Sequence, residues 1–340
     1  MEEDKRVVFF THPGNEHSIK EKQSGVFDWN TNRHARKFLK ANGEYISRLS
    51  NDQESELHSG DILFWGEWEQ PSNYTTINKS NDEMLPRRIH EPISTKNPVW
   101  DMLANKDEFE EDLFIETCRT FLGGKQNTDP YVFGDRFMYC CCKQAKTLNN
   151  GTISEQVTND LNRGDIIVFY SYTNEDDYIC HIDTVFVVGG LIVKGNYEEL
   201  WPTLYRSGKI TDRYLMSSIL PVCYGNQEDL ADGKSINDQI ANYSLYYGAS
   251  YYDPVVFDGK KYFSYFPCRK AEEYPQGFAR YKHEAFDKHP STTKEKWRPQ
   301  YLSINHYNQK GIYDFWQALT DDILANKYML GIKANEPDIK

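Results

Sequence analysis

The sequence has no excess of basic residues. Its 340 residues include 39 lysines and arginines against 51 aspartates and glutamates, which gives a formal net charge of −12 at pH 7. Proteins that bind DNA or RNA mainly through backbone phosphates need a basic surface. The charge therefore argues against broad binding to nucleic acid polymers, but it leaves room for a local basic groove or a site for a small nucleotide.

The sequence also lacks a recognisable membrane or secretion signal. No apolar run approaches membrane-spanning length, and the N-terminal residues MEEDKRVVFF are acidic where a signal peptide would be basic. We therefore expect a soluble, cytoplasmic protein with no membrane partner.

Several well-known site motifs are missing. There is no Walker A loop and no GxGxxG, which argues against classical nucleoside triphosphate hydrolysis and dinucleotide redox chemistry. No CxxC pair occurs among the seven cysteines. His12 and His17 flank a turn, but neither an HExxH motif nor a dense set of carboxylates accompanies them. We accordingly expect neither a metal ion nor an organic cofactor.

Aromatic residues, in contrast, are abundant: they make up 14% of the chain and include 24 tyrosines. Tyrosine and tryptophan suit a core and its rim as well as a pocket wall, because each has an apolar body and a polar group. Residues 126–190 combine such side chains with the strongest strand-forming sequence. Residues 137–142, 165–171 and 178–188 are predicted strands, with a hairpin tip at 173–177. These three strands would form the floor of a small pocket.

Patterns elsewhere in the chain predict further elements. Strands are predicted at residues 6–11, 60–69 and 216–224, and helices at 29–41, 107–122 and 313–324. The first helix would carry a basic, solvated face made of Arg33, Arg36, Lys37 and Lys40. Residues 71–98 are predicted to form a long loop, 196–205 a turn, and 227–238 a surface excursion or domain edge. A hairpin is predicted around Asp258-Gly259, and the tail after Lys333 is expected to fray.

These elements together predict an α+β fold. Its sheet would be mixed or antiparallel and barrel-like, with helices packed at the edges. A C-terminal extension would contain one hairpin and one helix. We place the core domain at residues 1–225 and the extension, packed on this core, at residues 226–340.

Two tryptophans and a carboxylate lie at the end of one predicted strand. Trp65, Glu67 and Trp68 can stack a base and accept hydrogen bonds from its edge, or the tryptophans can pack beneath a loop. In the following predicted loop, Arg87, Arg88 and His90 can receive a phosphate, or they are ordinary charged loop residues. Both pairs of alternatives stay open at this stage.

His181 and Asp183 are the best candidates for acid–base chemistry. Side chains of a strand alternate between faces, so both can point at one site. Cys180 then lies on the other face, which argues against the simplest Cys-His nucleophilic pair. The alternative is that both residues line the wet side of a sheet.

The central region resembles a known family. Its order is Asp129-Pro130, Phe133-Gly134, Tyr139, Cys141 or Cys142, and Lys143-Gln144, followed by Gly164-Asp165 before a strand ending in Ser171. This order resembles the prokaryotic nucleotide-modification-associated domains. The segment GDIIVFYS is also similar to the strand that opens PUA-like barrels such as the EVE, YTH and ASCH modules. The resemblance implies a pocket for a modified or flipped base and a role in bacterial nucleotide modification or antiviral defence.

Three functions follow as expectations. The first is binding of a nucleotide or modified base in an aromatic-lined pocket, by Trp65, Glu67, Trp68, Arg87, Arg88, His90, Asp129, Arg136, Tyr139, Gln144, Tyr170 and Ser171. The second is an enzyme acting on a nucleotide or nucleobase, with His181 and Asp183 as general acid and base. The third is an acidic module that binds a protein partner through an exposed apolar patch.

Overall fold

The computed structural model describes residues 4–12, 16, 24–31, 34, 36–50, 55–78, 85–104, 110–147, 153–171, 180–225, 242–283 and 302–339. Its strands are β1 (Lys5–Thr11), β2 (Ser24–Phe27), β3 (Lys37–Arg48), β4 (Glu56–Gly66), β5 (Ser72–Thr76), β6 (Arg88–Pro92), β7 (Met138–Tyr139), β8 (Ala145–Thr147), β9 (Ile153–Glu155), β10 (Ile166–Ser171), β11 (Cys180–Gly195), β12 (Tyr243–Gly248), β13 (Val255–Phe257), β14 (Lys260–Tyr262), β15 (Phe266–Lys270), β16 (Lys282–His283), β17 (Leu302–Tyr307) and β18 (Met329–Ala334).

The helices are α1 (Pro98–Ala104), α2 (Glu111–Leu122), α3 (Tyr197–Arg206), α4 (Asp212–Tyr214), α5 (Leu220–Tyr224) and α6 (Gln309–Ala325). A π-helical turn (Leu215–Ile219) joins α4 to α5 without a break. With the sheets, these helices give a mixed α+β fold. None of the helices in the described ranges is long and apolar enough to cross a membrane.

The first large sheet is buried on both faces. Its strand order is β17-β1-β10-β11-β12-β7, with β16 paired to β11, and only β1 and β10 run parallel. Alternating residues of β1 enter different core clusters, Phe10 on one face and Phe9 on the other. The cluster around Phe10 includes residues of α2, α3 and α5, and the cluster around Phe9 includes residues of α6. Helices therefore cover both sides of this sheet.

The second large sheet has the order β18-β15-β4-β3-β6-β5-β2. Its pairs are antiparallel except for β3 and β6. Strand β18 pairs with β15 on one side and with β3 on the other, so β3, β4, β15 and β18 form a closed ring of pairings. Strands β8 and β9 and strands β13 and β14 form separate hairpins.

Several predicted elements are confirmed. The predicted strand at 6–11 is β1, and the predicted strand at 165–171 is β10. The predicted helix at 107–122 contains α2, and the predicted helix at 313–324 lies within α6. The predicted hairpin at Asp258-Gly259 joins β13 to β14. The predicted surface segment at 227–238 and the hairpin tip at 173–177 lie outside the described residues.

The predicted helix at 29–41 is wrong. Among the described residues of this segment, Trp29 to Thr31 are not helical and Lys37 begins β3, which pairs with β4 and β6 inside the sheet. Arg33 lies outside the described residues. Arg36 and Lys37 are buried rather than solvated. Their side chains have acceptors from distant segments: Arg36 meets carboxylates, and Lys37 donates to the carbonyl oxygen of Trp68. Tertiary pairing therefore overrides the local helical spacing.

Four other predictions need correction. The predicted loop at 71–98 contains β5 and β6, and the predicted turn at 196–205 is α3, which contains Pro202. The predicted strand at 216–224 is helical, because a short continuous apolar run does not distinguish a buried strand from a buried helix. The tail after Lys333 is held against the core, since the amide of Asn335 donates to the carbonyl oxygen of Asn42 (2.8 Å) and the amide of Ser94 donates to the carbonyl oxygen of Asp338 (3.4 Å).

The division into two parts at residue 225 stays a prediction. Strands from both sides of this boundary nevertheless pair in both large sheets. Strand β12 lies between β11 and β7, β17 pairs with β1, and β15 pairs with β4. The boundary therefore does not coincide with a break in either sheet.

Candidate functional site

Six ionisable side chains meet in the interior where β1, β4 and β11 come together. They form what we call the ionic cluster: His12, His34, Arg36, Glu67, Glu69 and Asp183. His12 follows the end of β1, where its backbone amide still donates to the carbonyl oxygen of Tyr170 (2.8 Å). Glu67 and Glu69 follow the end of β4, and Asp183 lies in β11. The ends of strands from both sheets therefore supply the cluster.

Arg36 is the centre of this cluster. Its Nε donates to Oδ2 of Asp183 (2.8 Å) and its Nη1 to Oε2 of Glu67 (2.7 Å). All three side chains are buried. Burial acts to lower the pKa of Arg36, but Asp183 and Glu67 raise it above its usual value. Arg36 is therefore a permanent cation whose charge is matched by carboxylates.

Two histidines contact opposite oxygens of Glu67. Nδ1 of His34 lies 3.2 Å from Oε1, and Nδ1 of His12 lies 3.1 Å from Oε2. Burial and the nearby Arg36 lower the pKa of His12 to about 3. Burial also acts to lower the pKa of His34, but Glu67 and Glu69 raise it well above its usual value. Near neutral pH, His12 is uncharged and His34 is protonated in the absence of other ligands.

Glu69 is held beside Glu67 by groups from other segments. Its Oε2 accepts from Nδ2 of Asn30 (2.5 Å), and its Oε1 lies 3.3 Å from Nδ1 of His34. Its backbone amide donates to Oγ1 of Thr128 (3.0 Å). The second carboxylate of the cluster is therefore fixed at both its backbone and its side chain.

Asp129 anchors the turn that contains the three adjacent cysteines. Its carboxylate accepts the backbone amides of Cys140 (3.0 Å), Cys141 (2.9 Å) and Cys142 (2.9 Å). Its own amide donates to Oε1 of Glu67 (3.0 Å). Burial raises the pKa of Asp129 to about 6, against the lowering effect of the three amides. Both carboxylate oxygens are thus occupied by the protein.

Arg280 is a second buried arginine, but it is not part of an ion pair with any described residue. It is 3% exposed, and its guanidinium carbon lies 4.0 Å from the centroid of the Trp65 ring. Nη1 donates to Oγ of Ser171 (2.6 Å), whereas Nε has no hydrogen-bond partner among the described residues. Burial lowers the pKa of Arg280 to about 10, with Asp183 raising it and Arg36 lowering it. Arg280 therefore stays charged at neutral pH.

Unpaired polar atoms and a neutral histidine surround Arg280. Nε1 of Trp65 and Oδ1 of Asp183 are buried and have no hydrogen-bond partner in the described part of the chain. His181 is buried in β11, and burial followed by the charge of Arg280 lowers its pKa to about 4. This arrangement places a donor and a carboxylate oxygen without hydrogen-bond partners near a buried cation.

Lys143 and Tyr170 border the ionic cluster on the side of β1. Nζ of Lys143 donates to the carbonyl oxygen of Thr11 (2.9 Å), and Oγ1 of Thr11 donates to the hydroxyl of Tyr170 (2.6 Å). Burial lowers the pKa of Lys143 to about 8. Lys143 is half-buried and the side chain of His34 is 27% exposed, so these residues connect the cluster to solvent.

The structure brings together half of the residues predicted from the sequence. Those in or around the ionic cluster are Trp65, Glu67, Asp129, Tyr170, Ser171, His181 and Asp183. Trp65 does not present a free face for base stacking. It is 4% exposed and is covered by Arg280 and by Phe38, whose ring centroid is 5.2 Å away.

Three of the other predicted residues lie in the core. Trp68 packs against Phe133 (4.9 Å between centroids) and donates to the carbonyl oxygen of Pro71. The hydroxyl of Tyr139 donates to the carbonyl oxygen of Cys142 (2.5 Å). The side-chain amide of Gln144 donates to and accepts from the backbone of Ser244 (2.7 Å each). In this structure their polar groups serve the fold.

The remaining predicted residues lie in two other places. Arg87, which is exposed, and Arg88, which is buried, donate their backbone amides to the Glu16 carboxylate (2.8 and 3.0 Å), and the ring of His90 contacts Ser72 (2.9 Å). Arg136 is exposed, lies over the ring of Tyr247, and lines a separate groove of about 490 Å³. The arginines therefore do not converge on one phosphate site.

Most polar residues in and around the cluster were not predicted as site residues from the sequence: Asn30, His34, Arg36, Glu69, Lys143 and Arg280. The error follows from the predicted helix at 29–41, which would place Arg36 in solvent. One available signal was the pair of acids Glu67 and Glu69 beside Trp68 at the end of a strand. A second was the number of polar residues between Trp29 and β3.

Two groups of side chains among the described residues have the spacing of metal ligands. The first is Asp129, Cys140 and Cys141, and the second is His34, Glu67 and Glu69. The first group is poorly suited to a metal, because backbone amides occupy Asp129 and burial raises the pKa of the Cys140 thiol to about 11. Comparison of the chain with models of known families, with curated proteins and with solved structures found no match.

Proposed function

We propose that the protein binds a small anionic ligand of the nucleotide class beside Arg280. The observation that carries this proposal is a buried, charged guanidinium group with no ion-pair partner among the described residues. Burying a charge is costly unless an opposite charge or several hydrogen bonds compensate it. A phosphate or carboxylate of a ligand would supply that compensation, and arginine is well suited to bind either group.

The groups around Arg280 favour a ligand that also carries donors and acceptors. Nε1 of Trp65 can donate a hydrogen bond, and Oδ1 of Asp183 can accept one. A nucleotide or modified base combines an anionic group with such a polar edge. In this proposal the Trp65 ring supports the guanidinium group of Arg280 and does not stack on a base.

The resemblance of residues 126–190 to nucleotide-modification-associated and PUA-like domains adds support to this ligand class. We extend the proposal on this basis to a role in bacterial nucleotide modification or antiviral defence. A cytoplasmic location and a protein partner stay predictions.

A second candidate is an enzyme that acts on the same ligand. Asp183 favours it, because Arg36 holds Oδ2 while Oδ1 has no hydrogen-bond partner among the described residues. A carboxylate oxygen in this state can accept a proton from a bound substrate. Asp183→Asn would then retain ligand binding and lose turnover. Because Asp183 also pairs with Arg36, the Tm of the variant is measured first, and loss of both binding and turnover in a variant that folds would assign Asp183 to binding.

The proposal is tested by thermal shift and calorimetry on the full chain. The probes are nucleoside mono- and triphosphates, the parent nucleosides and pyrophosphate. We expect a phosphate-bearing probe to raise the Tm by mass action, and the parent nucleoside to have no effect. Arg280→Met should abolish the shift, and its Tm without ligand should equal or exceed that of the wild type, because an unpaired buried charge is removed.

Arg269→Met is the matched control. The guanidinium group of Arg269 also stacks on aromatic rings, 4.4 Å from the Tyr274 centroid and 4.1 Å from that of Tyr328, but it lies outside the ionic cluster. This variant should retain the ligand-induced shift. A full shift in Arg280→Met, or no shift with any probe in the wild type, would reject the proposal.

A further inference from the structure

We propose that His34, Glu67 and Glu69 bind one divalent transition-metal ion at the edge of the ionic cluster. The ligand atoms would be Nδ1 of His34, one oxygen of Glu67 and one oxygen of Glu69, which lie within 4.8 Å of one another. The inference concerns a cation and does not depend on the anionic ligand proposed beside Arg280.

Two of the three distances between these atoms match a coordination sphere, and the third is within 4.8 Å. Nδ1 of His34 lies 3.2 Å from Oε1 of Glu67 and 3.3 Å from Oε1 of Glu69. Nitrogen and oxygen ligands lie about 2.1 Å from a zinc-like ion, so neighbouring ligands in octahedral or tetrahedral geometry are about 3.0–3.4 Å apart. An ion can therefore replace the shared proton of His34 without a large movement of the backbone.

The other oxygen of each carboxylate is already held by the protein. Oε2 of Glu67 accepts from Nη1 of Arg36 (2.7 Å), and Oε2 of Glu69 accepts from Nδ2 of Asn30 (2.5 Å). Oε1 of Glu67 also accepts the amide of Asp129 (3.0 Å), which leaves a further lone pair on that oxygen. Such outer contacts orient metal ligands and strengthen binding.

His12 holds Glu67 from the side away from the proposed ion. It is 6% exposed, and its Nδ1 lies 3.1 Å from Oε2 of Glu67, the oxygen that also accepts from Arg36. Oε1 of Glu67 is therefore the oxygen that faces His34 and Glu69.

The ligand types select the class of metal. One imidazole and two carboxylates suit Mn²⁺, Fe²⁺ or Zn²⁺, whereas Mg²⁺ and Ca²⁺ favour sites built from oxygen alone. Since three protein ligands do not fill the coordination sphere and His34 is 27% exposed, water or a substrate can take the remaining positions.

Mn²⁺ is the probe for the first experiment. The full chain is stripped with EDTA and titrated with Mn²⁺, and the free ion is followed by its electron paramagnetic resonance signal. We expect one Mn²⁺ per chain in the wild type and at least tenfold weaker binding in Glu69→Gln, which loses a direct ligand. Zn²⁺ should compete for the same site.

Two further variants make the result decisive. Glu91→Gln removes an exposed carboxylate that pairs with Lys40 and should bind Mn²⁺ like the wild type. Arg280→Met should also retain Mn²⁺ binding, which separates this inference from the proposed anion site. If Glu69→Gln does not fold, His34→Ala replaces it, because His34 is partly exposed. Absence of stoichiometric binding, or unchanged binding in the ligand variant that folds, would overturn the inference.

Discussion

Arg36 and Arg280 illustrate two different uses of a buried guanidinium group. Arg36 forms ion pairs with Glu67 and Asp183, so its charge is compensated within the protein. Removing one partner from such a network leaves an uncompensated charge and destabilises the fold strongly. Arg280 instead relies on the Trp65 ring and the hydroxyl of Ser171. Arg36 therefore holds the site together, whereas Arg280 is the residue that we propose to bind the ligand.

Lys143 gives a prediction about pH at the scale of one residue. Burial lowers its pKa from 10.5 to about 8 in the folded state, so between these values the unfolded chain binds more protons. Its contribution to stability therefore increases as pH rises from about 8 to about 10.5 and is lost as pH falls through 8. The free energy of unfolding of the wild type should accordingly rise over this interval relative to that of Lys143→Met, in urea titrations.

Lys209→Met is the control for this comparison, because Lys209 is exposed. The difference in free energy of unfolding between Lys209→Met and the wild type should not change over the same pH interval. If the difference in free energy of unfolding between Lys143→Met and the wild type is also independent of pH, the folded protein does not disfavour the charged form of Lys143.

At the scale of elements, the π-helical turn between α4 and α5 positions the segment that carries Asp129. The carbonyl oxygen of Ser217 accepts the amide of Thr128 (2.9 Å), and Oγ of Ser218 donates to the carbonyl oxygen of Thr128 (2.6 Å). Thr128 in turn accepts the amide of Glu69. Widened helical turns of this kind occur frequently at functional sites. Here the turn holds Thr128, and through Thr128 it supports Glu69 of the ionic cluster.

Ser218→Ala tests this support. The substitution leaves the buried carbonyl oxygen of Thr128 without that donor and should lower the free energy of unfolding by about 1–3 kcal/mol. Neighbouring Ser217→Ala is the matched control, because the Ser217 hydroxyl donates to the carbonyl oxygen of Arg213 within the same helix. Such a bond contributes little to stability, so Ser217→Ala should change the free energy of unfolding by close to zero. Equal effects of the two substitutions in urea unfolding would contradict this role of Ser218.

At the scale of the whole molecule, the last strand closes the second sheet. Strand β18 lies between β3 and β15, and its residues Leu330, Ile332 and Ala334 are buried. Without β18, the edges of both neighbouring strands would lose their hydrogen-bond partners. The C-terminal strand is therefore part of the core structure.

A shortened chain tests this conclusion. A protein that ends at Tyr328 lacks β18 and is expected to lose the cooperative thermal transition seen by circular dichroism. A protein that ends at Glu336 retains β18 and should keep the transition. A cooperative transition at the wild-type Tm in the shorter protein would show that the ring of pairings does not stabilise the fold.

The amino-acid sequence by itself determined the elements whose signals are local. Strands β1 and β10, helix α6 and the hairpin at Asp258-Gly259 follow from apolar runs, helical spacing and turn residues. Glu67 and Asp183 were also visible as polar residues in or after predicted strands. These signals extend over a few residues, which is the range of backbone and turn preferences.

Only the tertiary structure decided where the charged residues lie. Arg36 is buried because carboxylates from β11 and from the end of β4 meet it, and Arg280 meets the ring of Trp65 from a distant part of the chain. A charged residue is stable inside a protein only when distant groups compensate it. No local pattern contains that information, so Arg36 was predicted to lie in solvent and Arg280 was not predicted as a site residue.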